Sequence, residues 1–487
     1  SRPLKTNNHT KYIENITKYC NVFNGECNKR CKNPVETERK FRMKPKSPPS
    51  HKQTHLLYQD LLEQLNPKDP LLLLAGKLSW ELFEREFAPL YAERGRPAKS
   101  VRLMVGLLLL KQIENLSDER VVEAWTRNPY YQAFCGMEYF QWKFPCDPSE
   151  LVHFRKRIGE AGLEKIFQAS VALFEKKALE DDVVVDTTVQ EKNITFPTDT
   201  KLRVKAMECC WKIAEKENLA LRRSYRRELK TIRRVIRFNK GKKKEDRKKV
   251  AAAIRRVKTM ANALLRDVER KLPEVACLTW KSELALCRQV INQERRDKNK
   301  IYSFHEPEAC CIAKGKEHKK YEFGSKAAIA MTKTSCIIVG VKSFSRNEYD
   351  GDTLKTILPQ VEKIMGKAPR RALCDRGFRG RKRVGDTTII LPESPSPNAS
   401  EYAKRKARKD FGRRSAIEPV IGHLKSDFRL ARNYLKGTIG DAINLLMSAT
   451  AFNCAKWMKA VVQSLFFALV VLCKFIRRND DHMATAA

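Results

Sequence analysis

The chain has no stretch of 18 uncharged apolar residues, so no segment reads as a helix able to cross a bilayer. The nearest approach, residues 460–475, is interrupted by Gln463, Ser464 and Lys474 and reads as a terminal packing helix or tail. Residues 1–50 contain no apolar core of the kind a secretory signal carries, and none is expected. Acidic residues are scarce: 57 Asp and Glu stand against 97 Lys and Arg, a formal charge of +40. Such a field attracts polyanions and far exceeds what solubility requires. Membrane lipid is the rival polyanion, and the missing span argues for nucleic acid. Paired short cysteine spacings are absent as well. The fifteen cysteines are odd in number and scattered through apolar contexts such as Cys135, Cys336, Cys374 and Cys454, which fits reduced thiols in a cytosol. Cys20, Cys27 and Cys31, with His9 and His51 at a distance, do not make a zinc pattern.

What is present divides the chain by composition. Residues 1–52 are polar, rich in Asn, Lys and Pro, without period, and read as a flexible basic arm. Helical spacing begins near Leu56, with Leu56, Leu57, Leu61, Leu62 and Leu65 marking one helix, residues 78–87 a second and residues 101–113 a third. Ser117-Asp118-Glu119 and Asp147-Pro148-Ser149-Glu150 supply N-caps for two more. Period alone cannot tell a helix-turn-helix from an αα-hairpin in this region. Residues 201–300 hold 32 Lys and Arg against 12 Asp and Glu, half the net charge in about a fifth of the chain. Apolar positions recur there at helical steps, with a break at Phe238-Asn239-Lys240-Gly241, so an antiparallel helical hairpin that contacts DNA backbone is expected. Strand-like stretches follow at residues 309–312, 321–331 and 336–341, then a helix over 352–364 and a strand over 387–391.

Two acids stand where phosphodiester chemistry would want them. Asp186 closes the β-branched run Val183-Val184-Val185 and reads as the end of a buried strand. Asp375 follows Arg371-Ala372-Leu373-Cys374 and opens the loop Arg376-Gly377-Phe378-Arg379-Gly380, whose glycines allow close backbone approach to a phosphate. Carboxylates at strand ends are the hard oxygen donors that Mg²⁺ prefers, and two such ions about 4 Å apart can activate an attacking oxygen and stabilise a leaving one. A third acid lies in a helical stripe. Phe411, Arg414, Glu418 and Lys425 fall within about 60° of arc, beside an apolar stripe of Ile417, Ile421, Leu424 and Phe428. Pro419 should kink this helix. His305 and Lys326 lie near the sheet by sequence and are not assigned to the site.

Taken together, these residues resemble the DDE transposases of bacterial insertion sequences. The resemblance rests on Asp186 in Val-Val-Asp-Thr-Thr, Asp375 in Cys-Asp-Arg-Gly-Phe-Arg-Gly, and Arg414, Glu418 and Lys425 at the spacing of the Tyr-Arg-Glu-Lys signature of one branch. It extends to residues 195–202, 305–308, 321–326 and Tyr349-Asp350-Gly351. Phe411 departs from the signature tyrosine. The resemblance implies an α+β architecture: a ribonuclease-H-like catalytic domain, a mixed sheet flanked by helices, interrupted by the all-α insertion and preceded by a helical DNA-binding domain. The boundaries expected are 1–52 for the arm, 53–165 for the DNA-binding domain, 166–200 and 301–457 for the two parts of the catalytic domain, 201–300 for the insertion and 458–487 for the tail. It implies Asp186, Asp375 and Glu418 as catalytic residues and ligands of two Mg²⁺ ions, with Mn²⁺ able to substitute. Arg414 and Lys425, Arg376 and Arg379, and Arg96, Lys99 and Arg102 are the expected DNA contacts, with Arg155, Lys156 and Arg157 a second N-terminal set. The activity implied is cleavage and transfer of double-stranded DNA, at the element's terminal inverted repeats and into target DNA, by at least a homodimer in the bacterial cytoplasm, nucleoid-associated and away from membranes. The alternative is a catalytically silent, transposase-derived DNA-binding or regulatory protein.

Overall fold

The computed structural model describes residues 60–91, 97–239, 243–294, 296–313, 320–392 and 398–484. The basic arm, Leu56, Leu57, Arg94, Arg96 and Lys240-Gly241 lie outside them. The N-terminal region is helical: α1 (Leu61–Gln64), α2 (Pro70–Lys77), α3 (Trp80–Phe87), α4 (Val101–Ile113), α5 (Asp118–Arg127), α6 (Pro129–Phe134) and α7 (Pro148–Ala172). The two expected caps, Ser117 and Asp147, form, and Ser100 adds a third. Ser100, Ser117 and Asp147 accept from Leu103, Arg120 and Ser149 backbone N–H groups at the starts of α4, α5 and α7. Helix α4 is buried almost all round, Val101 through Gln112 excepting Arg102, and so serves as a central core helix. Helix α7 bends at Gly159, which adopts φ 61°, and it runs through the boundary expected at residue 165. The N-terminal helices consequently share one apolar core with the sheet that follows, from Leu74 and Phe83 through Val184 and Ile329 to Phe452.

Strand β1 (Asp182–Lys192) enters the sheet next. The insertion then comprises α8 (Asp199–Lys216), α9 (Arg226–Phe238), α10 (Lys244–Lys271), α11 (Glu274–Thr279) and α12 (Lys281–Asn292). It is a bundle with its own core, Met207, Cys210 and Ile213 of α8 meeting Val257, Met260 and Leu264 of α10 and Cys287 and Ile291 of α12. The expected two-helix hairpin is corrected accordingly. An α9–α10 pair alone would leave the apolar side of α10 uncovered, and α8 and α12 cover it. Leu219 and Leu221 lie in the connection between α8 and α9.

The chain resumes with β2 (Cys310–Ala313), β3 (Tyr321–Thr332), β4 (Ile338–Phe344), α13 (Asp350–Met365), β5 (Arg371–Leu373), β6 (Arg383–Val384) and β7 (Thr387–Ile390). After these come α14 (Glu401–Arg414), α15 (Ile417–Ser426), β8 (Arg432–Asn433) and α16 (Gly437–Ala484). The sheet order is β2-β3-β1-β5-β7-β6, with β4 also on β3 and β8 on β1. Strands β1, β3 and β4 pair antiparallel, whereas β1, β5 and β7 run parallel. This mixed sheet, with α13, α15 and α16 packed on it, agrees with the ribonuclease-H-like expectation. Helix α16 is pinned to the sheet by polar contacts. Asn453 brackets Ile338, accepting from its N–H at 3.1 Å and donating to its carbonyl at 2.9 Å. Lys192 at the end of β1 meets Glu306 at 2.9 Å and Asp441 at 2.8 Å in a buried cluster. All described cysteines are free thiols, and no helix among the described residues is long and apolar enough to cross a membrane.

Candidate active site

Strand β1 does not stop at Asp186. It continues through Thr187, Thr188 and Val189 to Lys192, with Asp186 opposite Ile329 of β3. The β-branched residues that follow the acid keep the ladder going, and the acid sits in mid-strand. Its position against β5 is what matters. The parallel register pairs Val183 with Ala372 and Val184 with Leu373, the last residue of β5, and Asp186 and Asp375 each follow two residues after that last pair. Cys374 records the juxtaposition. Burial raises its thiol pKa, the charges of Asp375 and Asp186 raise it further, and Arg414 opposes them. Two carboxylates and one guanidinium are therefore within electrostatic reach of one buried sulfur.

Each acid is oriented by backbone. Thr187 N–H donates to Asp186 Oδ1 at 2.7 Å. Asp375 caps a single 3₁₀ turn, Arg376–Phe378, by accepting from Gly377 N–H at 2.8 Å. Arg376 and Arg379 are exposed on that loop, and Tyr349 Oη donates to the Arg379 carbonyl at 2.9 Å.

Glu418 comes from the other side. The single helix expected around it is two: α14 ends at Arg414, Ser415 and Ala416 form a tight turn, and α15 starts at Ile417. Pro419 thus occupies the first turn of α15, where its missing N–H breaks no bond, and the break lies upstream of it. Both linking residues keep right-handed dihedrals, so Arg414 and Glu418 still meet, at 3.6 Å. Ile417, Val420 and Leu424 are buried and hold α15 on the sheet beside β1. The Glu418 side chain is 64% exposed. Lys425 lies in the last turn of α15 and is half-buried, and Phe411 is half-buried on α14.

The sequence reading left out two residues that the fold brings to the acids. Asp350 opens α13, and its Oδ1 accepts from Thr187 Oγ1 at 2.9 Å and from Lys326 Nζ at 2.8 Å. Lys326 also donates to the Glu348 carbonyl at 2.6 Å. A Cβ built on Gly377 would lie 2.9 Å from Asp375 Oδ1 and 3.1 Å from Asp350 Oδ2. Asp350 thus touches the neighbour of Asp186 and faces the loop of Asp375. Its only sequence signal was membership in Tyr349-Asp350-Gly351.

The N-terminal basic residues divide. Lys99 is half-buried ahead of α4, and Arg96 lies outside the described residues. Arg102 is half-buried and engaged within the protein: its guanidinium donates to the Phe134 and Ala133 carbonyls at 3.3 and 3.4 Å and lies 5.0 Å from the Trp80 ring centre. Arg155 is likewise internal, joined to Asp118 at 2.8 and 2.6 Å, and Arg157 stacks on Tyr91 at 4.2 Å. These cations hold helices together.

Among the described residues no group of three or more His, Cys, Asp or Glu side chains is gathered closely enough to hold a metal ion. The donor set still suits a hard divalent cation. Asp186 and Asp375 offer carboxylate oxygens just beyond the last β1–β5 pair, and Glu418 on α15 is ion-paired with Arg414.

Two family models match the chain: a transposase domain (DUF772) over residues 59–157 and a transposase DDE domain over residues 293–454. Asp375 and Glu418 fall inside the second, whereas Asp186 and the basic bundle fall between the two. The chain is also 46% identical over 191 residues to an uncharacterized protein, ORF8 in the nfe locus of Rhizobium meliloti, covering 38% of this chain and 91% of that one. No solved structure matches. The strand-borne acids, the mixed sheet and the two matches agree, and the chain belongs to the DDE transposases of insertion sequences.

Proposed function

We propose that this transposase binds the ends of a mobile element, cleaves a DNA strand there in a metal-dependent step and transfers the freed end into target DNA. The observation that carries the reading is that Asp186 and Asp375 each follow two residues after the last β1–β5 pair, Val184 with Leu373, and that both charges act on the buried Cys374. Those two residues and Glu418 would hold two Mg²⁺ ions, with Mn²⁺ able to substitute. Bound there, the ions would activate the attacking oxygen and neutralise charge on the leaving one. Glu418 would exchange Arg414 for the metal. Arg414 and Lys425 would then bind phosphates beside the scissile bond, with Arg376 and Arg379 on the adjoining loop and Lys99 farther out. Water attacks phosphorus and the bond to the 3′ oxygen breaks, leaving a 3′-hydroxyl on the element and a 5′-phosphate on the flank. That hydroxyl attacks a target phosphodiester in turn, so phosphodiester bonds are exchanged without a covalent protein intermediate.

The partner is double-stranded DNA, as terminal inverted repeats and as target. Joining two ends in one act requires at least a homodimer. The site of action proposed is the bacterial cytoplasm, with the protein associated with the nucleoid. The test is cleavage and joining of DNA carrying the element's own ends, with Mg²⁺, for the natural protein and Asp375→Ala. A fall of at least about 10³-fold, roughly 4 kcal/mol in the barrier, is expected for the variant. Cutting that persists in the variant would overturn the metal assignment. Binding without cutting by both proteins would favour the regulatory reading.

A further inference from the structure

An open groove of about 840 Å³ lies at the end of the sheet where β1 and β5 begin, and Asp186, Asp375 and Glu418 are not among its lining residues. Its basic lining is Lys333, Arg370, Arg371, Lys406, Lys409 and Arg413, and its acids are Glu180, Asp181 and Asp182. The acids are engaged. Glu180 accepts from the Thr334 and Ser335 N–H groups at 2.7 Å each, Asp181 meets Lys367 at 2.7 Å, and Asp182 meets Arg371 Nε at 2.7 Å and Lys333 at 3.4 Å. Asp410 of α14 completes the neutralisation of Lys333 and Arg371. Four cations remain: Arg370, Lys406, Lys409 and Arg413 are exposed, and among the described residues none is paired with a carboxylate.

Three of these cations follow from one helix. Lys406, Lys409 and Arg413 sit at i, i+3 and i+7 of α14, which puts them along one face. Because Asp410 points to Lys333 and Arg371, that face is held toward the groove. Arg414, the next residue, pairs with Glu418 at 3.6 Å and acts electrostatically on Cys374, as Asp375 and Asp186 do. Eight residues of helix from Lys406 to Arg414 span about 12 Å, the rise of roughly three to four base pairs of duplex. Asp182 lies four residues before Asp186 on the same strand, about 13 Å away.

We propose that this groove is a second DNA subsite, in which Arg370, Lys406, Lys409 and Arg413 bind the phosphate backbone of the duplex adjoining the reacting phosphate. The inference rests on the transposase reading and adds a surface outside the signature residues. Its ligand chemistry is a row of phosphates, without base contacts.

The test uses the full chain carrying Lys406→Gln, Lys409→Gln and Arg413→Gln together, with duplex DNA carrying the element's end and flank, titrated over a series of KCl concentrations. The natural protein should bind with strong salt dependence. The variant should bind about 10- to 100-fold more weakly near 100 mM salt, with the slope of log affinity against log salt reduced by about 2 to 3. Its thermal melt should match the natural protein's, because the three side chains are exposed, which separates lost binding from lost folding. Equal affinity and slope for the two proteins would overturn the groove and leave the transposase reading intact. A natural protein that binds no duplex would overturn both.

Discussion

Replacing Asp350 tests whether the contacts beside the acids matter to their chemistry. Its Oδ1 receives Thr187 Oγ1 at 2.9 Å and Lys326 Nζ at 2.8 Å, so Asp350→Ala removes an acceptor from the residue next to Asp186 and the counter-charge from an ammonium that is only 10% exposed. Breaking a fully buried ion pair costs about 3–5 kcal/mol. The Asp350 side chain is 28% exposed, water softens the loss, and the Glu348 carbonyl still receives Lys326, so about 1–3 kcal/mol of stability is expected. The effect on cleavage should be larger than that stability loss suggests. Removing a partner that orients a ligating carboxylate typically costs 10- to 100-fold, and Asp350 also borders the Gly377 turn that aims Asp375. Single-turnover cleavage should fall by about that factor, while duplex affinity measured by fluorescence anisotropy stays within about twofold, because Asp350 contacts no phosphate-binding cation proposed here. Asp350→Asn keeps shape and one acceptor, and should fall between the two. A variant that melts and cleaves like the natural protein would refute the positioning role.

Three further outcomes follow from the same coordinates. Gly377→Ala would place a Cβ 2.9 Å from Asp375 Oδ1; cleavage should drop at least about 10-fold with little change in melting, since the turn is at the surface of the site, and unchanged cleavage would count against Asp375 acting in its present orientation. Gly324→Ala would place a Cβ 1.9 Å from the Gln190 carbonyl, a backbone clash across β1 and β3 that costs at least about 4 kcal/mol and should abolish soluble expression or the cooperative circular-dichroism melt. Burial pushes the Asp118 carboxyl up, but hydrogen bonds from Arg155 and the charge of Lys111 outweigh it and hold its pKa at about 2. A depressed folded pKa contributes stability above the unfolded value near 4 and loses it as pH falls toward 2, so melting temperature should decline across that window, and Asp118→Asn should flatten the decline by about 2 kcal/mol.

Much of this was legible because it is local. Residues 101–113 form the helix their apolar run dictates, and the strand beginning at Tyr321 ends within a residue of its expected limit. Asp375 lies at a strand end as read, since a glycine-rich turn follows it. The misses share a different cause. Asp186 was placed at a strand end because the β-branched run stops there, yet pairing with β3 carries the strand on to Glu191 and pairing with β8 to Lys192. Arg102 and Arg155 looked like surface cations because sequence does not reveal which acids and carbonyls fold against them. Asp350 meets Thr187 across 163 residues of chain, a contact without periodicity.

Helix α14 explains why one segment can serve two surfaces. It buries no residue, so apolar packing does not fix it on the sheet, and its docking rests on Asp410 against Lys333 and Arg371. Helix α15 is the opposite case, fastened by Ile417, Val420 and Leu424. The turn at Ser415 and Ala416 joins an electrostatically held helix to an apolar-anchored one, and Arg414 and Glu418 face each other across that joint. A phosphate row competing for the cations of α14 would draw Arg414 away while α15 stays in place. Glu418 would then lose its ion-pair partner, and on the proposed function its carboxylate would become available to a metal as DNA arrives.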